Sequence, residues 1–276
     1  MSDLVNEHRT DAQDNGSATR VQQPFTDIHC HCLPDLDDGP ATMAESLALC
    51  RLLAEDGVAT AVATPHQLGR FTNCNKAAEV REAVRRLNET LRNDGVPLRI
   101  LAGGEVHVDE RVCRLVEEDE IVTLADGGRY LLLELPCKTT VDITPLLIEL
   151  MSVGVQCVVS HVERIAPFIA RRRMLLQWTD HGAHLQITAS GLVGDFGPEV
   201  QKVAWSLLSS GWVTLVATDS HGVDFRPPRM ASAFDRIRTR LGTDIAHRLC
   251  IENPSRVVRG QAIAPVLLCD FQEVER

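Results

Sequence analysis

Seven short apolar runs alternate with seven longer amphipathic stretches after residue 24, and this alternation restricts the fold more than any other feature. The runs are 25–29, 58–64, 98–103, 130–135, 155–160, 184–187 and 213–217. Each is apolar over several consecutive residues, the pattern of a strand covered on both faces. Between them lie helix-like segments at 40–56, 75–94, 107–118, 141–153, 165–181, 198–210 and 229–241. Thr42 and Glu45 have the spacing of a capping box, and Gly57, Gly95, Gly154, Gly182 and Gly211 sit where helices should stop. Strict strand-then-helix order predicts a parallel α/β sheet, and seven such units favour a closed TIM-like barrel over an open sheet. Residues 1–24 are polar and aperiodic and are expected to be a disordered tail. The barrel should span 25–262 as one domain, its last part made of closing helices, with a second tail over 263–276.

The side chains at the ends of these runs point to chemistry. His29 and His31 close the first run, His66 follows the second, and Glu105 the third. Glu134 lies near the end of the fourth, His161 follows the fifth, and Asp219 and His221 follow the seventh. In a barrel all these ends meet on one face, where active sites are built. Side chains two apart on a strand point the same way, so His29 should converge with His31, and Asp219 with His221. Any one of these residues alone reads as an ordinary hydrogen-bonded loop or ion-pair partner. Together they would bury like charges at great cost unless a cation lay between them. A metal cluster is therefore expected, with Asp37 or Asp38 available as a further ligand. Arg164 and Arg226 follow His161 and His221 closely; either ordinary ion pairing or an anionic ligand spanning both accounts for them.

Composition removes several alternatives. With 28 basic and 38 acidic residues the net charge is −10, which disfavours sequence-independent binding of nucleic acid. The run Arg171-Arg172-Arg173 reads as a solvated helix face, and no glycine-rich nucleotide-binding motif is present. The nine cysteines include no C-x-x-C pair, which argues against both a disulfide framework and a zinc finger. Cys30 and Cys32 alternate with the histidines and should face the core as small hydrophobes. Cys250 and Arg256 have the C-x5-R spacing of cysteine-dependent phosphatases, but that loop lacks glycine and Asn253-Pro254 reads as a helix start. The N-terminus lacks the apolar core of a signal peptide, and the apolar stretch 141–159 is interrupted by Asp142, Pro145 and Glu149. A cytoplasmic protein with no membrane insertion is expected.

The segments DIHCHCLPDLDDGPATMAESLALC, VATPHQLGRF, GGEVHV, LLLELP, VVSHVER and ATDSHGVDFRPP, in this order, resemble the PHP (polymerase and histidinol phosphatase) superfamily. They are most similar to its branch of bacterial manganese-dependent protein-tyrosine phosphatases from capsule and exopolysaccharide loci. The resemblance covers about residues 24–262. It implies a distorted (β/α)7 barrel with three divalent ions, manganese foremost and iron, zinc or magnesium also compatible. Carried over, His29, His31 and Asp219 would hold a first ion, with Glu105 bridging it to a second held by Glu134 and His161. Asp38, His66 and His221 would hold a third, and Arg164 and Arg226 would be the catalytic clamp on the substrate phosphate. The implied activity is hydrolysis of phosphotyrosine by a hydroxide held between metals. The implied partner is the tail of a bacterial tyrosine kinase that regulates polysaccharide biosynthesis. A phosphatase of a small phosphomonoester such as histidinol phosphate, or a binding module stabilised by metal, are the alternative readings.

Overall fold

The computed structural model describes residues 23–165 and 172–267. Among these are nine strands: β1 (Phe25–Cys30), β2 (Val58–Ala63), β3 (His66–Gln67), β4 (Arg99–Ala102), β5 (Glu105–His107), β6 (Tyr130–Glu134), β7 (Gln156–Val159), β8 (His184–Thr188) and β9 (Val213–Ala217). Seven correspond to the seven apolar runs. β3 and β5 are additional, and both are too short and polar to show periodicity. Every pairing is parallel, in a three-stranded sheet ordered β1-β2-β4 and a six-stranded sheet ordered β3-β5-β6-β7-β8-β9.

The two sheets are joined at both ends. On one side β4 runs into β5 through Gly103-Gly104. A Cβ on Gly103 would lie 2.5 Å from Val62 Cγ1, and one on Gly104 would lie 2.1 Å from Gln67 Oε1, so any larger residue where the chain steps from one sheet to the other would displace a buried side chain. On the other side, Cys30 bridges to Ser220, His31 N donates to Ser220 O at 2.8 Å, and Asp219 N donates to His29 O at 2.8 Å. Below that seam the Asp27 carboxylate accepts from Thr218 N and Oγ1. The ring is broken between β4 and β6, where the turn Leu124–Asp126 packs against both. This is a parallel barrel as the alternation predicts, distorted as the family resemblance implies.

Side chains sort by the two-residue period of a strand. Along β6, Tyr130 and Leu132 join Ile28, Val62, Val158, Leu215 and Ala217 in the barrel interior, while Leu131 and Leu133 join the larger outer core under the helices. The helix Ala77–Asn93 presents Val80, Val84, Leu87 and Leu91 to that outer core, one face at helical spacing. The expected capping box is present: Glu45 N donates to Thr42 Oγ1 at 3.2 Å, and Thr42 N donates to Glu45 Oε2 at 3.2 Å. Of the stretch expected to form a helix at 165–181, Arg172–Asp180 is helical, with Arg173 exposed; residues 166–171, including Arg171, lie outside the described residues.

The N-terminal tail, apart from Gln23 and Pro24, also lies outside the described residues. At the other end, 263–267 stays on the body: Val266 is buried, and Ala264 N and O both bond to the side chain of buried Asn253. No described helix is long and apolar enough to cross a membrane.

His184 opens β8 at the end of the barrel away from the strand C-termini, its ring edge-on to Tyr130 at 5.9 Å. Burial pushes its pKa down to about 4. In the unfolded chain a histidine titrates near 6.5, so between these values the unfolded state binds a proton that the folded state refuses, and stability falls as pH falls. From pH 7 to pH 5 the wild type should lose about 2 kcal/mol more than His184→Gln in urea unfolding.

Candidate metal centre

The side chains singled out at the strand ends converge on one face. His29, in β1, places Nδ1 3.2 Å from Gln186 Oε1, and His31, one residue past β1, places Nδ1 2.6 Å from Asp37 Oδ2. His221 Nδ1 lies 2.9 Å from Asp219 O. An oxygen acceptor at Nδ1 keeps the proton on that nitrogen and turns the Nε2 lone pair inward, the arrangement that prepares an imidazole as a ligand. His66, on β3, sits with Nδ1 3.2 Å from Glu105 Oε2 and Nε2 3.3 Å from Asp38 Oδ1. His161 Nε2 is 2.8 Å from Glu105 Oε1, and Glu134 Oε2 is 3.6 Å from His66 Nδ1. Asp219 divides its carboxylate. Oδ1 faces His29 and His31 Nε2 at 3.3 and 3.5 Å, while Oδ2 accepts from Arg164 Nη1 and lies 3.4 Å from Arg226 Nη1.

Backbone conformation at the site is unusual. His161, Asp219 and Arg226 have φ of 32°, 54° and 50°, left-handed values that non-glycine residues rarely adopt and that cluster at functional sites. Asp219 and His221 therefore converge through a turn and not, as expected, through the pleat of a strand.

Four overlapping groups of ligand atoms fit within the reach of a single ion: His31, Asp38, His66 and His221; His29, Glu105 and His161; His29, His31 and Asp219; and His66, Glu105 and Glu134. All nine expected ligands are included. The grouping differs from the three sets implied by the resemblance. His31 belongs with Asp38, His66 and His221 as well as with His29. Glu134 and His161 are in separate groups, because His66, carried in by β3, stands beside Glu134 on the Oε2 side of Glu105. Asp37 lies behind the cluster and orients His31, while its Oδ2 also accepts from His66 N at 3.1 Å.

The donor set fits divalent cations. Both carboxylate oxygens of Glu105 are buried and face only imidazole nitrogens, Oε1 2.8 Å from His161 Nε2 and Oε2 3.2–3.4 Å from His29, His31 and His66. The Nε2 atoms of His29 and His31 face each other at 3.2 Å, where two lone pairs repel unless a proton or a metal lies against them. Nitrogen and carboxylate oxygen together suit manganese, iron or zinc. The electrostatics agree. Burial opposes charge on His29, yet Glu105 and Asp219 overcome it and push its pKa up. Burial likewise opposes charge on Glu105 and Asp219, yet the surrounding histidines hold both carboxyls well below the usual carboxylate range. Asp38, hydrogen-bonded to His221 and His66, is held low as well. The cluster thus retains its carboxylates as anions and attracts positive charge, and metal binding would displace protons from it.

The cluster forms the floor of a cavity of about 370 Å³, lined also by Leu68, Phe71, His107, Arg164 and Arg226. Arg164 and Arg226 both lie over the Phe196 ring, 4.9 and 5.9 Å from its centroid. The C-x5-R pair is elsewhere and cannot act as a phosphate loop. Cys250 is fully buried, which pushes its thiol pKa up, and Arg256 is bonded to Glu252 at 2.9 Å. Cys30 and Cys32 are buried in the outer core, as expected. Three partners of the cluster had not been singled out. His107 Nδ1 lies 3.4 Å from Glu134 Oε2, Gln186 holds both His29 and His161 N, and Glu163 is a buried carboxylate bonded to Thr188. Gln186 was detectable as an amide set between Leu185 and Ile187 in the eighth strand.

Comparison with known proteins agrees with this geometry. The family model described as capsular polysaccharide synthesis, CpsB/CapC, matches residues 25–259. The chain belongs to the CpsB/CapC family. It is 31% identical over 238 residues to the tyrosine-protein phosphatase YwqE of Bacillus subtilis, covering 86% of this chain and 92% of that one. It is 32% identical over 245 residues to the tyrosine-protein phosphatase CpsB of Streptococcus pneumoniae, covering 86% and 99%. A solved structure from work on YwqE and CpsB, described as unique metal-dependent tyrosine phosphatases, superposes with a TM-score of 0.83 at 30% identity over 87% of this chain and 96% of that one. A phosphotriesterase homology protein from Escherichia coli shares the fold at a TM-score of 0.55 and 14% identity, over 85% of this chain and 98% of that one.

Glu105→Ala should lower the divalent metal retained per folded chain by at least one ion, measured by elemental analysis. An alanine variant that keeps the wild-type metal content would remove Glu105 from the ligand set.

Proposed function

We propose that this chain is a metal-dependent protein-tyrosine phosphatase that holds three divalent ions, manganese foremost, and acts in the cytoplasm on the phosphorylated tail of a bacterial tyrosine kinase in polysaccharide biosynthesis. The observation that carries this reading is the placement of two half-buried guanidinium groups on the open side of Asp219, whose other oxygen faces the imidazole cluster. Tyrosine as the phosphorylated residue rests on the relatives and on the capsule-family membership, and the kinase as its source rests on the resemblance of the sequence motifs alone. His29, His31, Asp38, His66, Glu105, Glu134, His161, Asp219 and His221 are the proposed ligands. When bound, divalent cations supply neutralisation of phosphoryl oxygens and an acidified water. The residues of the chain do the positioning. Arg164 and Arg226 bind the equatorial phosphoryl oxygens through planar forks that match them, and Phe196 backs both guanidinium groups. Phenolate is a fairly good leaving group, so the step can proceed without a dedicated general acid.

Arg164→Ala and Arg226→Ala should each cost about 3–4 kcal/mol in kcat/KM while the metal content is unchanged. Loss of metal in either variant would assign that arginine to the ion site and not to the substrate.

Turnover of a phosphotyrosine peptide, a phosphoserine peptide and histidinol phosphate with Mn²⁺ tests the reading directly. The phosphotyrosine peptide should be hydrolysed fastest, and a strong chelator should abolish turnover until Mn²⁺ is restored. Cys250→Ser should keep near-wild-type turnover, because a buried, protonated thiol offers no nucleophile. An inactive but folded Cys250→Ser protein would overturn the metal mechanism.

A further inference from the structure

The polar floor of the cavity is accounted for by the cluster and the arginines; two aromatic side chains are not, Phe71 in its lining and Phe225 against Arg226, which also lines it. Phe71 lies stacked on His66, with ring centroids 5.4 Å apart and planes at 10°. Phe225 lies edge-on to His221, at 6.2 Å and 87°. The two imidazoles are themselves 6.5 Å apart and share Asp38 between them. Phe71 and Phe225 therefore flank the same pair of histidines, one beside each.

Both rings are held in place by their surroundings. Phe71 N donates to Leu68 O at 2.9 Å within a loop anchored by buried side chains: Gln67 bonds Asn75 O and Val122 N, and Asn75 bonds Leu36 O and His66 O. Phe225 sits at the tip of a turn closed by His221 N donating to Arg226 O at 3.1 Å, and it is 63% exposed. Phe225 is thus an exposed ring beside His221 and Arg226, available to a ligand that reaches the arginine. Arg70 lies over Phe71 at 4.8 Å and Arg226 over Phe225 at 5.3 Å, which fixes the tilt of each ring further.

We propose that Phe71 and Phe225 determine specificity by taking the aryl group of an aryl phosphate monoester, so that the site prefers aromatic over aliphatic esters. This rests on the phosphatase reading above. A phosphoryl group on the floor, at Arg164 and Arg226, directs its ester oxygen toward the mouth. The first atoms beyond that oxygen are a ring in phosphotyrosine and a single methylene in phosphoserine. Only the ring can use offset or edge contacts with Phe71 and Phe225, each of a size that changes affinity about three- to tenfold.

Phenyl phosphate, benzyl phosphate and glycerol phosphate separate ring recognition from leaving-group chemistry, because benzyl phosphate has a ring but releases an alkoxide. The ratio of kcat/KM for benzyl over glycerol phosphate should fall about three- to tenfold in Phe71→Ala and in Phe225→Ala. Phe71→Trp and Phe225→Trp should retain it, and Phe71→Leu serves if the alanine variant does not fold. An unchanged ratio, or an equal fall for all three esters, overturns the proposal. Calorimetric binding of phenylphosphonate and methylphosphonate to the manganese-loaded protein reads the rim without turnover. The wild type should prefer phenylphosphonate, and the alanine variants should lose that preference with their metal content intact. If no phosphomonoester is hydrolysed, the phosphatase reading fails while this binding comparison still decides the rim; a wild type without the preference overturns it.

Discussion

Everything at the C-terminal face of this barrel follows from one demand: buried carboxylates and inward-facing imidazole nitrogens require positive charge between them. Glu105 and Asp219 are both buried, and the Nε2 atoms of His29 and His31 stand 3.2 Å apart. Without countercharge such a cluster would cost more than a domain of this size can supply. With it, the same repulsions become the cohesion of a metal centre. The outer partners serve that end. Gln186, Asp37 and the Asp219 carbonyl each meet an Nδ1 and so orient the ring whose other nitrogen points inward.

Much of this was legible in the sequence because the strands are buried on both faces. Their continuous apolar runs stand out against the helices, and the positions of His29, Glu134 and Asp219 relative to those runs place them at one rim. The residues that end those runs meet at the cluster for that reason, while Asp38, in the loop after β1, was singled out over Asp37 only by the family resemblance. The helix at 43–55 was legible from its cap, since Thr42 and Glu45 satisfy each other locally and owe nothing to distant contacts.

The remainder was hidden because it depends on contacts between distant segments. β3 and β5 are two and three residues long, and β5 begins directly after the glycine pair at 103–104 where the chain changes sheets. No period can appear in so short a strand, yet β3 carries His66 to Glu105 and so alters the grouping of the ligands. His107, Gln186 and Glu163 act through partners 27, 157 and 25 positions away, separations that no local pattern encodes. Phe71 and Phe225 lie in irregular loops, where neighbouring residues say nothing about which cavity a ring will border. The turn at Asp219 and His221 reaches by a left-handed residue what a strand pleat was expected to do.

The divided carboxylate of Asp219 ties two equilibria together. Its Oδ1 faces the imidazoles and its Oδ2 the guanidinium groups. An ion drawn to Oδ1 withdraws electron density from Oδ2 and weakens its hold on Arg164 and Arg226, leaving them freer to turn toward an incoming anion. Thermodynamic reciprocity then requires the converse: an anion that takes the two arginines from Oδ2 leaves the whole carboxylate to the ion and tightens its binding by the same factor. On the ligand and phosphate assignments proposed above, ion loading and anion capture would be one cooperative event transmitted through this side chain.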